Sequence, residues 1–235
     1  MIDHTRTFYE NIKDAFYFAV SDKVSIVIIG IILTIAGTLE EYHTNDPLLS
    51  IISIIVLLCF LLFEAGYSSK IIVETLEGST KTPAIENIPE MLTHGLKEFI
   101  VTLGYSIVSY ILGMVVEGIY VIYHDSIILL PSLLIFALIL FVMNSSLIYM
   151  GHKSGKIKDG FNIKGIFGLY GKLGFLGTLF LFITCIISQL ILFSSVFNVF
   201  SWDIWIIIKF IMNFLLAPIS LIFSLRLFAL QGRLN

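Results

Sequence analysis

Six stretches of nearly unbroken apolar residues alternate with short polar connections along the chain. They are Val24–Leu39, Leu48–Tyr67, Phe99–Tyr123, Ser126–Met150, Leu173–Phe197 and Trp202–Leu225. A helix rising 1.5 Å per residue needs about 20 apolar residues to cross ~30 Å of hydrocarbon. Each stretch therefore has roughly the length of a span, the first being the shortest. None shows the period-2 alternation of a barrel strand. The pattern predicts an all-α integral membrane protein with six transmembrane helices, built as a single polytopic domain over residues 1–235.

A second pattern lies in the segments ahead of spans one, three and five. Phe8, Ile12, Ala15, Phe16 and Ala19 fall on one helical face, with Glu10, Lys13 and Asp14 turned away. Ile85, Ile88, Leu92, Leu96 and Phe99 repeat the arrangement, and the glycine-rich stretch from Phe161 to Tyr170 does so less clearly. Such stripes suit helices lying in the membrane interface. The segments share wording: NIKDAF from Asn11, NIPEML from Asn87 and NIKGIF from Asn162, with Lys23, Lys97 and Lys172 at the points where the spans begin. The expectation is three parallel two-span repeats, residues 1–80, 81–158 and 159–235, each led by an interfacial helix and sharing a common bend.

Composition agrees with a membrane solvent. The chain is 57% hydrophobic and 13% charged, with a mean hydropathy of +0.98, against about 25% charged residues in soluble domains. The placement of charge carries more information than the net −3. Thirteen of the 14 basic residues fall before span one, between spans two and three, between spans four and five, or after span six. The opposite connections hold only acids: Glu40, Glu41, Asp46, Asp125 and Asp203. The positive-inside rule then puts both termini on the cytoplasmic side of the cell membrane, with Tyr42, Tyr123, Trp202 and Trp205 at the outer interface. Cys59 and Cys185 sit in apolar runs without metal-ligand spacing and read as small buried hydrophobes. No secretory signal is expected, because no small-residue cleavage site follows the first apolar run.

The stretch FEAGYSSKIIVETLEG, Phe63 to Gly78, leads through IPEMLTHGLKEFIVTLGYSIV, Ile88 to Val108. Gly66-Tyr67 closes a span, Pro89-Glu90 opens an amphipathic segment, Gly95-Leu96-Lys97 enters the next span, and Tyr105 follows. With GKIKDGFNIKGIFGLYGKLGF, Gly155 to Phe175, this resembles the archaeal and bacterial membrane family known as domain of unknown function 4013. The start, DAFYFAVSDK from Asp14, departs from the family pattern around Ser21 and Asp22, where a Tyr-Pro and a Trp are expected. The resemblance implies a polytopic membrane protein. It implies no activity and supplies no catalytic residues.

Searches for chemistry return little. Gly151-His-Lys-Ser-Gly155-Lys156 has three residues between its glycines, and Ile157 stands where a phosphate loop needs Ser or Thr. There is no HExxH and no GxSxG motif, and the five histidines are scattered. No catalytic set, metal site or cofactor is expected, and no basic domain supports nucleic-acid binding. Glycines 168, 171, 174 and 177 offer a smooth face for close helix packing. Lys153, Lys156, Lys158, Lys164 and Lys172, opposed only by Asp159, form the one strongly basic surface, fit either to bind anionic headgroups or simply to fix topology.

Within the spans, Thr102, Ser106, Ser109, Gly113, Glu117, Tyr120 and His124 share one helix face. Lys209 and Asn213 begin a polar stripe on span six, and Ser188 lies on one in span five. Glu117 and Lys209 are the acid and the base deepest in apolar sequence. Either charge alone costs at least ~2.5 kcal/mol in the bilayer. They are expected to form an ion pair or share a polar cavity in the outer half of the bundle, supported by Ser109, Asn213 and Ser188; the alternative is that Lys209 snorkels to the outer headgroups and Glu117 is protonated or wetted separately. Three functions fit this reading. The foremost is a non-enzymatic membrane component: a scaffold, or a binder of lipids or of a membrane protein partner. The others are a small ion or solute transporter using Glu117 and Lys209, and a membrane-embedded lipid enzyme.

Overall fold

A computed structural model describes residues 8–41, 47–123, 129–153, 155–169, 174–196 and 210–233. All the regular structure among them is helical. In chain order the helices are α1 (Phe8–Ala19), α2 (Lys23–Glu41), α3 (Pro47–Glu77), α4 (Ile88–Tyr123), α5 (Leu129–His152), the short α6 (Ile157–Gly160) and α7 (Ile163–Gly168), α8 (Gly174–Val196), and α9 (Ala217–Arg233). A π turn, Met212–Leu216, leads into α9.

Four of these stretches are long and apolar enough to cross a membrane: Pro47–Glu77, Ile88–Ile122, Pro131–His152 and Met212–Gln231. A fifth arises if Tyr9–Ala19 and Lys23–Ala36, bent at 77° to each other, count together as one span. The six expected from hydropathy are thus four or five among the described residues. The difference lies in α2, which qualifies only with its bent partner, and in α8, where the apolar stretch is the shorter Phe175–Ser188.

The interior mixes apolar residues, among them Phe18, Ile71, Ile72 and Ile222, with small and polar ones. Ser68, Ser69, Thr75, Glu98, Ser145, Ser146, Arg226 and Gln231 are buried, while Ile54, Leu61, Ile107, Ile111, Met114 and Leu133 are exposed. In lipid, apolar side chains gain nothing by turning inward, so small and polar residues line the helix contacts. The apolar stripes read from the sequence are partly turned away from the interior. Along the first turns of α4, Met91, Gly95 and Glu98 are buried, and Ile88 and Leu96 of the expected apolar stripe are half exposed. On α1 the buried residues are Asn11, Ala15, Phe18 and Ala19, and Phe16 turns outward.

The tightest contact joins α3 and α4. A Cβ added to Gly66 would lie 2.0 Å from the Met91 carbonyl oxygen, and one on Gly95 would lie 1.9 Å from that of Leu62. Each glycine thus faces the carbonyl one helical turn before the other glycine. Backbone meets backbone here because neither residue has a side chain.

A similar approach seats α2 against the π turn. Pro218 has no N–H to give the Phe214 carbonyl, which sits one turn before it. The helix widens at Met212–Leu216, and the Ala217 N–H reaches back to the Met212 carbonyl. A Cβ on Gly30 would lie 2.3 Å from the Phe214 oxygen, so only glycine accommodates it.

The segments that precede and connect the spans gather at one end. The Thr82 hydroxyl, ahead of α4, donates to the Phe18 carbonyl at the end of α1. Tyr67 Oη donates to Pro83 O at 3.0 Å. Tyr105 Oη donates to Gly160 O at 3.0 Å, and its ring stacks on Phe161. Arg226 of α9 reaches Asp14 of α1 at 2.9 Å. The common bend expected of the repeats is not shared: α1 and α2 meet at 77°, whereas α4 runs unbroken from Ile88 to Tyr123. Of the three repeated asparagines, Asn162 caps α7, accepting from the Gly165 N–H at 3.1 Å. Asn87 sits just ahead of α4 with φ +55°, and Asn11 lies within α1.

Candidate functional site

A well-formed cavity among the described residues lies where α3 leaves and α4 begins. It holds about 170 Å³ and is lined by Gly66, Ser69, Lys70 and Val73 from α3, by Glu86 and Asn87 from the connection, and by Glu90, Met91 and His94 from α4. The Gly66–Gly95 crossing forms its inner limit, because the helices touch there and diverge toward their charged ends. α4 has 36 residues. Counted from Tyr123, about 20 fill the hydrocarbon and roughly 16 extend ~24 Å past it. The 31 residues of α3, counted from Pro47, leave roughly 11 beyond it. The cavity therefore lies past the crossing, toward the end of α3 and the start of α4.

Its polar groups are held in distinct ways. Lys70 Nζ donates to Ala84 O at 2.8 Å, fixing the connection. Asn87 Nδ2 donates to Glu90 Oε2 at 2.5 Å, which orders the first turn of α4. The side chains of Glu86 and His94 make no hydrogen bond or ion pair among the described residues. Behind the wall, Ser69 hydrogen-bonds the Glu98 carboxyl. Glu98 is 1% exposed, and its Oε2 has no hydrogen-bond partner among the described residues. A carboxyl oxygen left so is costly unless something meets it.

The family comparison bears on these same residues. Residues 48–198 match the family model described as "Protein of unknown function (DUF4013)". The chain belongs to this family. No curated protein and no solved structure matches it. The stretches that carried the resemblance now have physical roles: in this DUF4013 member Gly66 and Gly95 make the crossing, Tyr67 and Tyr105 tie down two connections, and Glu90 braces α4.

The residues expected from sequence fall elsewhere. Glu117 is exposed on the C-terminal half of α4, and Lys209 lies outside the described residues. Ser109 is half-buried on α4. Asn213 is 2% exposed in the π turn, with its Oδ1 unpartnered among the described residues. Ser188 lines a separate small cavity with Asn144, Cys185 and Ser224, between α5, α8 and α9. There Asn144 Nδ2 lies 3.4 Å from Cys185 Sγ. Lys153, Lys156, Lys158 and Lys164 are all exposed, and Lys172 lies outside the described residues. No group of three or more His, Cys, Asp or Glu able to hold a metal occurs among the described residues.

Sequence reasoning missed the α3–α4 cavity. A signal was present in the i, i+3, i+4 spacing of Gly66, Ser69 and Lys70 on α3, with Gly66 against Met91 of α4.

Proposed function

We propose that this DUF4013 protein is a non-enzymatic component of the cell membrane that holds anionic lipid headgroups at its basic, cytoplasmic end. The observation that carries the reading is the grouping of exposed Lys153, Lys156, Lys158 and Lys164 beside the other connections at that end. Each lysine near an anionic surface contributes roughly 1 kcal/mol. Tyr9, Phe16 and Tyr17 of α1 also turn outward, as amphipathic rings do at the headgroup level. In this reading both termini are cytoplasmic, and the basic connections serve topology and lipid attraction together.

Native mass spectrometry tests it. The purified protein, offered phosphatidylglycerol and phosphatidylcholine in equal amounts, retains phosphatidylglycerol preferentially. Replacing all four lysines by glutamine abolishes the preference. Equal retention of the two lipids by the unaltered protein overturns the reading.

A further inference from the structure

The cavity between α3 and α4 differs in chemistry from the lysine surface. Its volume of about 170 Å³ has room for roughly six waters at ~30 Å³ each. That is well below the ~300–1,000 Å³ of drug-sized sites. It suits a ligand the size of one headgroup.

The walls carry both signs of charge. Lys70 spends one N–H on Ala84 O and has two further donors, and His94 presents an imidazole nearby. The carboxylates of Glu86 and Glu90 line the same cavity, Glu90 one helical turn before His94 on α4. Asn87 occupies one oxygen of Glu90, leaving the other oxygen and both of Glu86. Ser69 also lines the cavity, and its hydroxyl can accept as well as donate. A simple anion would meet two carboxylates, and a simple cation would meet Lys70. A ligand bearing both charges satisfies every wall.

We infer that this cavity binds a small zwitterion with a primary ammonium and an oxyanion, the chemistry of a phosphoethanolamine group. The ammonium is held by Glu86, Glu90 and Ser69, and the phosphate by Lys70 and His94. A primary ammonium has three N–H donors for these three acceptors, whereas a quaternary ammonium has none. The group can arrive free in solution or on a membrane lipid.

The test uses the full chain in phosphatidylcholine nanodiscs. One arm titrates free O-phosphoethanolamine by calorimetry, with phosphocholine as the control. The other replaces part of the lipid by phosphatidylethanolamine and counts retained lipid by native mass spectrometry. Saturable binding in either arm supports the site and identifies the source, and phosphocholine fails to compete. Glu86→Gln and His94→Gln, at side chains that brace nothing, each weaken binding about tenfold, as the loss of one charge-assisted hydrogen bond does. The four-lysine variant binds undiminished, which separates this site from the lysine surface. No saturation in either arm, equal binding of phosphocholine, or unchanged affinity in both single variants overturns the inference.

Discussion

Arg226 and Asp14, 212 positions apart, are joined by two contacts: Nη2 lies 2.9 Å and Nε 3.0 Å from Asp14 Oδ1. The guanidinium also lies 4.2 Å from the centre of the Phe18 ring. The pair ties the helix ahead of the first apolar run to the last helix of the bundle. Arg226 is nearly wholly buried at 3% side-chain exposure, Asp14 less so at 21%. Removing one partner of a buried pair strands the other charge, at about 3–5 kcal/mol, whereas replacing both with apolar residues is often neutral. Asp14→Ala is expected to cost about 3 kcal/mol, near the low end because Asp14 is partly wetted. Asp14→Leu with Arg226→Met recovers most of it. Thermal unfolding in detergent measures both, and an unchanged midpoint for Asp14→Ala sinks the clamp.

The same substitution should act with opposite sign along α4. Gly95→Ala pushes a methyl group into the Leu62 carbonyl, and Gly66→Ala does the same to Met91. Backbone cannot rotate aside as a side chain can, so each change is expected to cost about 3 kcal/mol or more, at the upper limit of overpacking. The double variant costs less than the sum, since either methyl group already parts the helices. Gly113 and Gly118 have nothing within 4 Å of the added Cβ. There Ala replaces Gly in an open helix and gains about 0.5–1 kcal/mol. Folded yield by size-exclusion chromatography and apparent melting temperature distinguish the two pairs. Equal effects at Gly95 and Gly113 would refute the crossing.

The helices over α2 to α5 and α8 were legible because twenty apolar residues leave no other hydrogen-bonded structure in lipid. The family motifs pointed to the right stretches for a reason now visible: Gly66, Gly95 and Tyr67 hold one crossing and one connection. Ile88 and Leu96 of the apolar stripe are half exposed, and periodicity alone does not say which neighbour a stripe meets. The cavity was hidden for a related reason. Lys70, Glu86, Glu90 and His94 come together only because two glycines let α3 and α4 touch and then splay, a geometry that no single helix's periodicity encodes. The shared Asn-Ile pairs likewise overstated symmetry, since Asn87 and Asn162 each precede a helix while Asn11 lies inside one.

Orientation is checked by cysteine labelling. Cys59 is exposed and Cys185 buried, so both are first replaced by serine. A membrane-impermeant maleimide applied to intact cells should modify a cysteine at Asn45 or Asp203 and spare one at Ser79 or Lys156. Permeabilised cells should then label the second pair. Ser79 lies in the connection tied to α1 through Thr82, and Lys156 in the one tied to α4 through Gly160. Labelling of Ser79 but not Lys156 in intact cells would contradict a single basic face.

Glu117 poses the sharpest test of the outer half. It is exposed on α4, six residues and so about 9 Å from Tyr123 along the helix. A lone carboxylate at that depth costs at least ~2.5 kcal/mol, a cost that pairing with Lys209 would offset in part. If the two are partners, Glu117→Lys and Lys209→Glu each lower the yield of folded protein, by up to tens of fold on that scale. The double swap then restores the yield, because it exchanges the charges within one pair. Glu117→Leu with Lys209 retained should also lower it, by leaving the base alone. The contrary pattern is equally clear. A rise in yield with Glu117→Leu, together with no rescue in the double swap, would mean that the carboxyl faces its surroundings without Lys209. Yield is read as monodisperse protein after solubilisation, with the unaltered protein as the reference.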